Sequence, residues 1–181
     1  MWERANRAEA ALFADTPWLP RRPPNVVVTA VTTAGRGGAL WLLCTLAEAL
    51  RPGGDRRWAA HTAAAIGIAL GTSQLVKRIA PHRCRPEAPG GPARRSLPER
   101  PDSSSFPSAH AATAAAFTTA LATRGPLSLL VVPVTATAVY GRLRTRVHWP
   151  SDIVAGMAIG VTATMCTSTW ARRPRIHNGH T

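Results

Sequence analysis

The stretch Ala59–Val76 reads AAHTAAAIGIALGTSQLV and contains no Asp, Glu, Lys or Arg. Crossing a bilayer takes a helix of about 20 mostly apolar residues, so a charge-free stretch of this length predicts a membrane span. Three later stretches also lack formal charge: Ser108–Thr123, Gly125–Gly141 and Ile153–Ala171. Val26–Leu50 is a fifth, weaker candidate because it carries Arg36 and Glu48. The pattern predicts an all-α, integral-membrane helical bundle of about five spans.

The composition leaves one alternative, because a soluble bundle of small-residue helices would show the same Ala-, Gly- and Thr-rich stretches. Tryptophans at segment ends favour the membrane, since indole rings collect at membrane interfaces; they are Trp18, Trp58, Trp149 and Trp170. The net charge of +13 sits mainly between the apolar runs, where arginines contact anionic lipids or an anionic substrate. Nucleic acid is disfavoured, because no basic helix carries interleaved aromatic residues.

The chain divides into three parts. Residues 1–24 form an N-terminal segment in which an amphipathic, interfacial helix is expected over Arg4–Phe13. Residues 25–171 form the membrane domain, which contains a long loop at 81–107 of the kind that usually carries function. Residues 172–181 form a polar tail. Within the domain, Pro133 is expected to kink or break its apolar segment.

Three basic patches that also contain His, Ser or Asp lie at segment boundaries. Residues 77–86 read KRIAPHRCRP, residues 106–110 read FPSAH, and residues 141–152 read GRLRTRVHWPSD. Each alone has an ordinary explanation, such as arginines at lipid headgroups or a helix that starts at Pro-Ser. If the spans alternate across the bilayer, however, all three patches emerge on the same face. The topology therefore predicts a single active site at one membrane interface.

The patches resemble, in order and approximate spacing, the signature of the type 2 phosphatidic acid phosphatase superfamily, which includes lipid phosphate phosphatases and vanadium haloperoxidases. That signature is Lys-x6-Arg-Pro, then Pro-Ser-Gly-His, then Ser-Arg-x5-His-x3-Asp. Here Arg142 and His148 enclose five residues, and His148 and Asp152 enclose three, as the family requires. The resemblance implies a phosphatase domain over residues 25–171 that needs no metal and no other cofactor.

The chain departs from the signature at three positions. Ala109 replaces glycine, which keeps the backbone N–H but loses freedom at positive φ. Gly141 replaces serine, which removes a hydroxyl group. Lys77 stands one residue too far from Arg85, so either Arg78 fills the lysine role at the family spacing or Lys77 fills it across a one-residue insertion.

The matching residues suit phosphoryl transfer. His148 is expected to be the nucleophile, with its imidazole oriented by Asp152 one helical turn later. His110 is expected to protonate the leaving alcohol and then to activate water. Because the transferred group spreads negative charge over three oxygens, the remaining residues are expected to supply positive charge and N–H donors; they are Lys77, Arg78, Arg85, Ser108, Ala109 and Arg142.

The sequence thus predicts a multi-pass protein of the cell (plasma) membrane that hydrolyses a phosphate monoester or pyrophosphate through a phosphohistidine. A phospholipid or a prenyl phosphate is the expected partner, while the substrate's identity, the face that carries the site and the oligomeric state stay open. One alternative is a vanadate-dependent haloperoxidase-like enzyme, although those relatives are typically longer and soluble. The other is a nonenzymatic membrane protein that binds anionic lipids, which leaves the placement of the histidines unexplained.

Overall fold

The computed structural model describes residues 1–14, 25–86 and 103–171. Two turns of 3-10 helix, Arg36–Gly38 and Pro126–Val131, precede the third and sixth α-helices. The described α-helices are α1 (Glu3–Ala14), α2 (Val26–Ala34), α3 (Ala39–Leu50), α4 (Arg56–Ile79), α5 (Ala109–Ala122), α6 (Val132–Arg144) and α7 (Pro150–Ala171). The prediction of an all-α fold is confirmed for this part of the chain. Trp18, the polar tail at 172–181 and positions 87–102 of the long loop lie outside the described residues.

Side-chain caps explain where several helices begin. The Asn25 side chain accepts a hydrogen bond from Val28 N at 2.9 Å, and Asp55 accepts one from Trp58 N at 2.9 Å. Such caps satisfy backbone N–H groups that the first helical turn leaves without a partner. A helix, α1, lies where one was expected over Arg4–Phe13, and its placement at a membrane interface stays a prediction.

The segment Val26–Leu50, expected as one span, is broken into α2 and α3, whose axes differ by 55°. The break falls at Gly37 and Gly38, which have φ of 59° and 79°. Glycine adopts this left-handed region without the steric cost that a Cβ brings. Arg36 therefore lies at a bend between two short helices rather than inside a continuous span.

The segment around Pro133 is divided as predicted. A 3-10 turn at Pro126–Val131 precedes α6, and Pro133 lies in the first turn of that helix. Proline fits there because the N–H that it lacks would have no partner inside the helix. The arrangement leaves α6 short, with Arg142 in its last turn.

The interior is built largely from alanine, so helices α4, α5 and α7 pack closely. A Cβ added at Gly156 of α7 would collide with the carbonyl oxygen of Ser108, and one at Gly160 would collide with that of Ala112. Small residues of this kind let helix backbones approach each other directly. This contact brings the first turn of α5, which carries Ser108, against the first turns of α7.

Many large apolar side chains point outward, in contrast to the small interior. Extensive exposed apolar surface is unfavourable in water but suits a lipid environment. The exposed residues include Leu42, Leu43 and Leu46 on α3, Ile68 and Leu75 on α4, and Val154, Met157 and Met165 on α7.

In the described part of the chain, α4 alone is both long and apolar enough to cross a membrane as a single helix, and α2 with α3 qualifies as one bent span. Helices α5 and α6, with 14 and 13 residues, rise only about 20 Å at 1.5 Å per residue. That length falls short of a hydrocarbon core about 30 Å thick. The five-span arrangement therefore stays a prediction.

Candidate active site

The three basic patches lie together at one end of the helical bundle. The backbone N–H of Ser108, at the start of α5, donates to the carbonyl oxygen of Asp152 in α7 at 2.9 Å. The Arg85 guanidinium, from the first patch, donates to the carbonyl oxygen of Val147 at 2.8 Å. These contacts join residues 77–86, 106–110 and 141–152 into one site, the convergence that the sequence predicted.

Lys77 and its neighbour Arg78 take different positions at the end of α4. Lys77 Nζ donates to the carbonyl oxygen of Ser104 at 2.6 Å, and its charge interacts with those of Arg85 and Asp152. Arg78 is exposed. The geometry therefore places the lysine, and not the adjacent arginine, toward the site.

Three buried nitrogen atoms of the site have no hydrogen-bond partner among the described residues: Arg142 Nε, His110 Nε2 and His148 Nδ1. Each of the three side chains interacts electrostatically with the other two. A buried polar group left unpaired costs about 1–3 kcal/mol, so such groups are rare unless a ligand or catalysis requires them. Arg142 Nε is therefore a donor available to a bound oxyanion, and His110 Nε2 is available to exchange a proton, whereas His148 Nδ1 faces Asp152 Oδ2.

His148 and Asp152 form the expected pair, and both are almost fully buried. His148 Nδ1 lies 3.5 Å from Asp152 Oδ2, too far for a good hydrogen bond and close enough for a small rotation to make one. Burial lowers the pKa of His148 to about 4, opposed by Asp152 and assisted by the charges of Arg142 and Lys77. At neutral pH the imidazole is therefore uncharged, the form in which it can act as a nucleophile.

Ser108 and Ala109 sit at the start of α5. Ser108 is fully buried, and its hydroxyl caps the helix by accepting from Ala111 N at 3.4 Å. Ala109 occupies the first helical position, and Arg146 is the one non-glycine residue with positive φ in the described part of the chain. The replacement of glycine at 109 therefore costs no required backbone freedom.

Gly141 is explained by a close approach of two helices. A Cβ at this position would collide with Thr32 Oγ1 of α2, so a serine has no room. The Thr32 hydroxyl is buried and has no hydrogen-bond partner among the described residues. A hydroxyl from α2 thus lies where the family signature has one from α6.

Two arginines of the site were missed by the sequence argument. Arg83 is fully buried and donates to Asp152 Oδ1 at 2.6 Å and to Glu9 Oε1 at 2.8 Å. Arg36, at the bend between α2 and α3, is close enough to interact electrostatically with His110 and Arg142. Arg83 lies within the first patch, so the sequence offered it as a candidate. No local pattern in the sequence connects Arg36 or Glu9 to the site.

Two cavities flank the site. A cavity of about 360 Å³ with a mixed lining lies between α1 and the first patch, and Asn6, Arg7, Arg85, Arg146 and Trp149 contribute to it. An apolar cleft of about 420 Å³ runs between α5, α6 and α7. Tyr140 and Leu143, which line this cleft, also pack against Trp149. Trp149 therefore lines the cavity that contains the arginines and packs against residues of the apolar cleft.

The chain belongs to the PAP2 superfamily, whose family model matches residues 58–176. It is 34% identical, over 167 residues and 90% of both chains, to a protein of Mycobacterium tuberculosis named decaprenylphosphoryl-5-phosphoribose phosphatase. A protein of the same name from Mycolicibacterium smegmatis is 36% identical over 152 residues, which cover 82% of this chain and 80% of the relative. No solved structure gives a significant match.

Proposed function

We propose that the chain is a membrane phosphatase that hydrolyses the phosphate monoester of a prenyl-linked lipid through a phosphohistidine on His148. The observation that carries the proposal is the pair of buried, unpaired nitrogen atoms Arg142 Nε and His110 Nε2, on side chains that interact electrostatically with the buried imidazole of His148. An enzyme must be complementary to charge that develops in the transition state. A phosphoryl group supplies that charge on its equatorial oxygens.

The reaction proceeds in two steps at this site. Nε2 of the neutral His148 attacks phosphorus and the bond from phosphorus to the ester oxygen breaks. His110, which enters this step in its protonated form, gives its proton to the leaving alcohol and becomes neutral. His110 then removes a proton from water, which attacks phosphorus, and the bond to His148 breaks to release inorganic phosphate. Arg142, Arg85 and the N–H groups at the start of α5 hold the oxygens throughout.

The two cavities support a substrate with a large polar head and a long apolar tail. The mixed cavity beside Arg85 contains two further arginines, Arg7 and Arg146, which a sugar and a second, diester phosphate would meet. The apolar cleft between α5, α6 and α7 suits a prenyl chain. Together with the names of the relatives, this arrangement favours a prenyl-phosphoryl-sugar phosphate, with hydrolysis of the terminal monoester.

The membrane placement supports the same substrate class. Outward-facing leucine, isoleucine and methionine side chains, with alanine inside, favour a multi-pass protein whose apolar cleft lies within the hydrocarbon layer. A prenyl tail could then stay in the bilayer while its head reaches the site. Since the cell membrane is where such lipids are held, we place the protein there.

The test is a phosphoenzyme measurement on the purified full chain in detergent. The substrates are a prenyl-phosphoryl-ribose 5-phosphate, a prenyl monophosphate and a phosphatidic acid, each labelled in the terminal phosphate. Rapid quenching should trap acid-labile, base-stable label that His148→Ala abolishes together with turnover. His82→Ala is the matched control, because His82 is an exposed histidine of the first patch.

His110→Ala separates the two steps. A substrate with an acidic leaving alcohol should still phosphorylate His148, whereas the phosphoenzyme should decay slowly because the base for water is lost. Chelators are expected to leave turnover unchanged and vanadate to inhibit it. Acid-stable label, label that persists in His148→Ala, or a requirement for divalent metal would overturn the proposal. Halide oxidation by the vanadate-loaded protein would favour the haloperoxidase alternative instead.

A further inference from the structure

We infer that Arg83 and Glu9 form a positioning pair that fixes the carboxylate of Asp152, which makes the N-terminal helix α1 a working part of the active site. The inference rests on the proposed function, because it assigns the pair a role through the Asp152–His148 couple. Neither residue touches the phosphoryl group in this scheme. Both act by holding Asp152, which in turn orients the imidazole of His148.

Arg83 fixes one oxygen of the Asp152 carboxylate. Its Nη1 donates to Oδ1 at 2.6 Å, and neither side chain is exposed to solvent. The other oxygen, Oδ2, accepts from the backbone N–H of Trp149 at 2.9 Å and faces His148 Nδ1 at 3.5 Å. With both oxygens held, the carboxylate plane is set, and so is the direction from which it meets the imidazole.

Glu9 of α1 completes the pair from the opposite side. Its Oε1 accepts from Arg83 Nη2 at 2.8 Å, and its two oxygens accept from the hydroxyl and the backbone N–H of Ser151 at 2.7 and 2.9 Å. Ser151 precedes Asp152 in the first turn of α7. The carboxylate of Glu9 therefore holds both the arginine that orients Asp152 and the helical turn that carries it.

Further contacts fix the plane of the guanidinium. Arg83 Nε donates to Asn6 Oδ1 of α1 at 2.9 Å. The guanidinium lies 4.8 Å from the centroid of the Trp2 ring and 5.4 Å from that of Trp149. Trp2 Nε1 in turn donates to the carbonyl oxygen of Pro81 at 3.0 Å. A planar fork held in this way cannot rotate without breaking several contacts at once.

These contacts explain why α1 is needed. A buried arginine requires compensating charge and hydrogen bonds on every side. Asp152 neutralises it from the catalytic side, and α1 supplies Glu9, Asn6 and Trp2 on the other. Detachment of α1 would expose the guanidinium to water and leave Asp152 with one fixed oxygen instead of two.

The test compares Glu9→Gln with Glu3→Gln in the full-length protein. Both changes remove one negative charge from α1, but Glu3 contacts only Arg7 among the ion pairs of the described residues and is exposed. Glu9→Gln should lower kcat by about tenfold to 10²-fold, the range expected for a small misplacement of a reacting group. KM and inhibition by vanadate should change less than about twofold, and Glu3→Gln should match the wild type in all three, because only orientation is lost.

A double-mutant comparison distinguishes positioning from a general loss of structure. In an Asp152→Asn background, Glu9→Gln should cost less than about twofold in the rate of phosphoenzyme formation, since the group it positions is already impaired. A merely structural role would cost the same factor in both backgrounds and would lower the amount of folded protein. Arg83→Lys, which keeps the charge without the fork, should fall between wild type and Arg83→Gln in kcat.

The outcomes separate this inference from the proposed function. Wild-type kcat in Glu9→Gln, or equal costs in both backgrounds, would overturn the positioning role even if His148→Ala proves inactive. Phosphoenzyme in His148→Ala would instead overturn the proposed function. If the Arg83 variants fail to fold, Glu9→Gln and its control still decide the question.

Discussion

Two buried arginines near the His148–Asp152 pair have contrasting environments: Arg83 contacts Asp152, and Arg142 interacts electrostatically with His148. The Arg83 guanidinium has two carboxylate partners, an amide, a hydroxyl and two aromatic rings. Arg142, which is also buried, has an Nε atom without a partner among the described residues. The first environment is complete in the protein itself, whereas on the proposed function an oxyanion completes the second. The proposals thus assign positioning and binding to two different arginines.

The contrast has an energetic counterpart. Removing one partner from a buried ion pair typically destabilises a protein by about 3–5 kcal/mol because the other charge is left uncompensated, so variants that break the Arg83 network should be less stable. An unpaired buried group costs about 1–3 kcal/mol. The pocket of Arg142 therefore carries a cost in stability that substrate binding offsets. A site of this kind trades folding free energy for complementarity to the transition state.

The largest effect is expected from Asp152→Asn, which disconnects the two environments. An amide cannot orient and stabilise the imidazole as the carboxylate does, and in serine triads the comparable change costs on the order of 10⁴ in rate. Vanadate should still bind, because the oxyanion pocket is unchanged. Steady-state kinetics and vanadate inhibition measure the two quantities.

Asp55→Asn is the matched control. Asp55 caps the first turn of α4, at the end of that helix opposite Lys77, and asparagine caps helices equally well. It should keep the wild-type rate. A loss of less than about tenfold in Asp152→Asn would contradict the role proposed for the aspartate, given the 10⁴ expected.

A smaller effect is expected from Arg142→Lys, which should lower kcat by about 10²–10³-fold. This is the usual cost of removing one hydrogen-bond donor to the charge that develops in the transition state. Lysine keeps the positive charge but loses the bidentate fork. Vanadate binding should weaken as well, which distinguishes this variant from Arg83→Lys, where the rate falls and vanadate binding stays. If the two lysine variants behaved alike, the division between a binding and a positioning arginine would be wrong.

The smallest effect is expected from moderate acidity. For an ordinary histidine with a pKa near 6.5, the neutral fraction would be about tenfold smaller at pH 5.5 than at high pH. Because burial lowers the pKa of His148 to about 4, its neutral form persists at pH 5.5 and disappears only as the pH falls through about 4. As the pH is lowered, the fall in kcat/KM that is due to the enzyme should therefore have its midpoint near pH 4.

The substrate phosphate has its own ionisation near pH 6, so the pH profile needs a second substrate. A phosphorothioate ester ionises at lower pH, so a limb that belongs to the substrate moves and one that belongs to His148 does not. An enzyme-borne limb near 6.5 would contradict the buried, neutral histidine.

Much of the site could be predicted because its chemistry is local in the chain. His148 and Asp152 are one helical turn apart, and Ser108 and His110 share a helix start, so short spacing implies spatial proximity. Helical spans that alternate in direction then account for the convergence of the three patches. The breaks in the helices were predictable only in part: Pro133 indicated one, while the bend at Gly37 and Gly38 depends on two glycines with positive φ inside a segment that reads as apolar.

The sequence by itself determined the helical class, the approximate segments and the three motifs, because each depends on residues close together in the chain. Tertiary structure alone decided which neighbour, Lys77 or Arg78, faces the site, since that depends on how α4 is rotated against the bundle. It also decided the pairing of Arg83 with Glu9 and the collision that excludes a side chain at Gly141. Those contacts join residues more than 70 positions apart, and only the packing of α1 and α2 against the bundle brings them together.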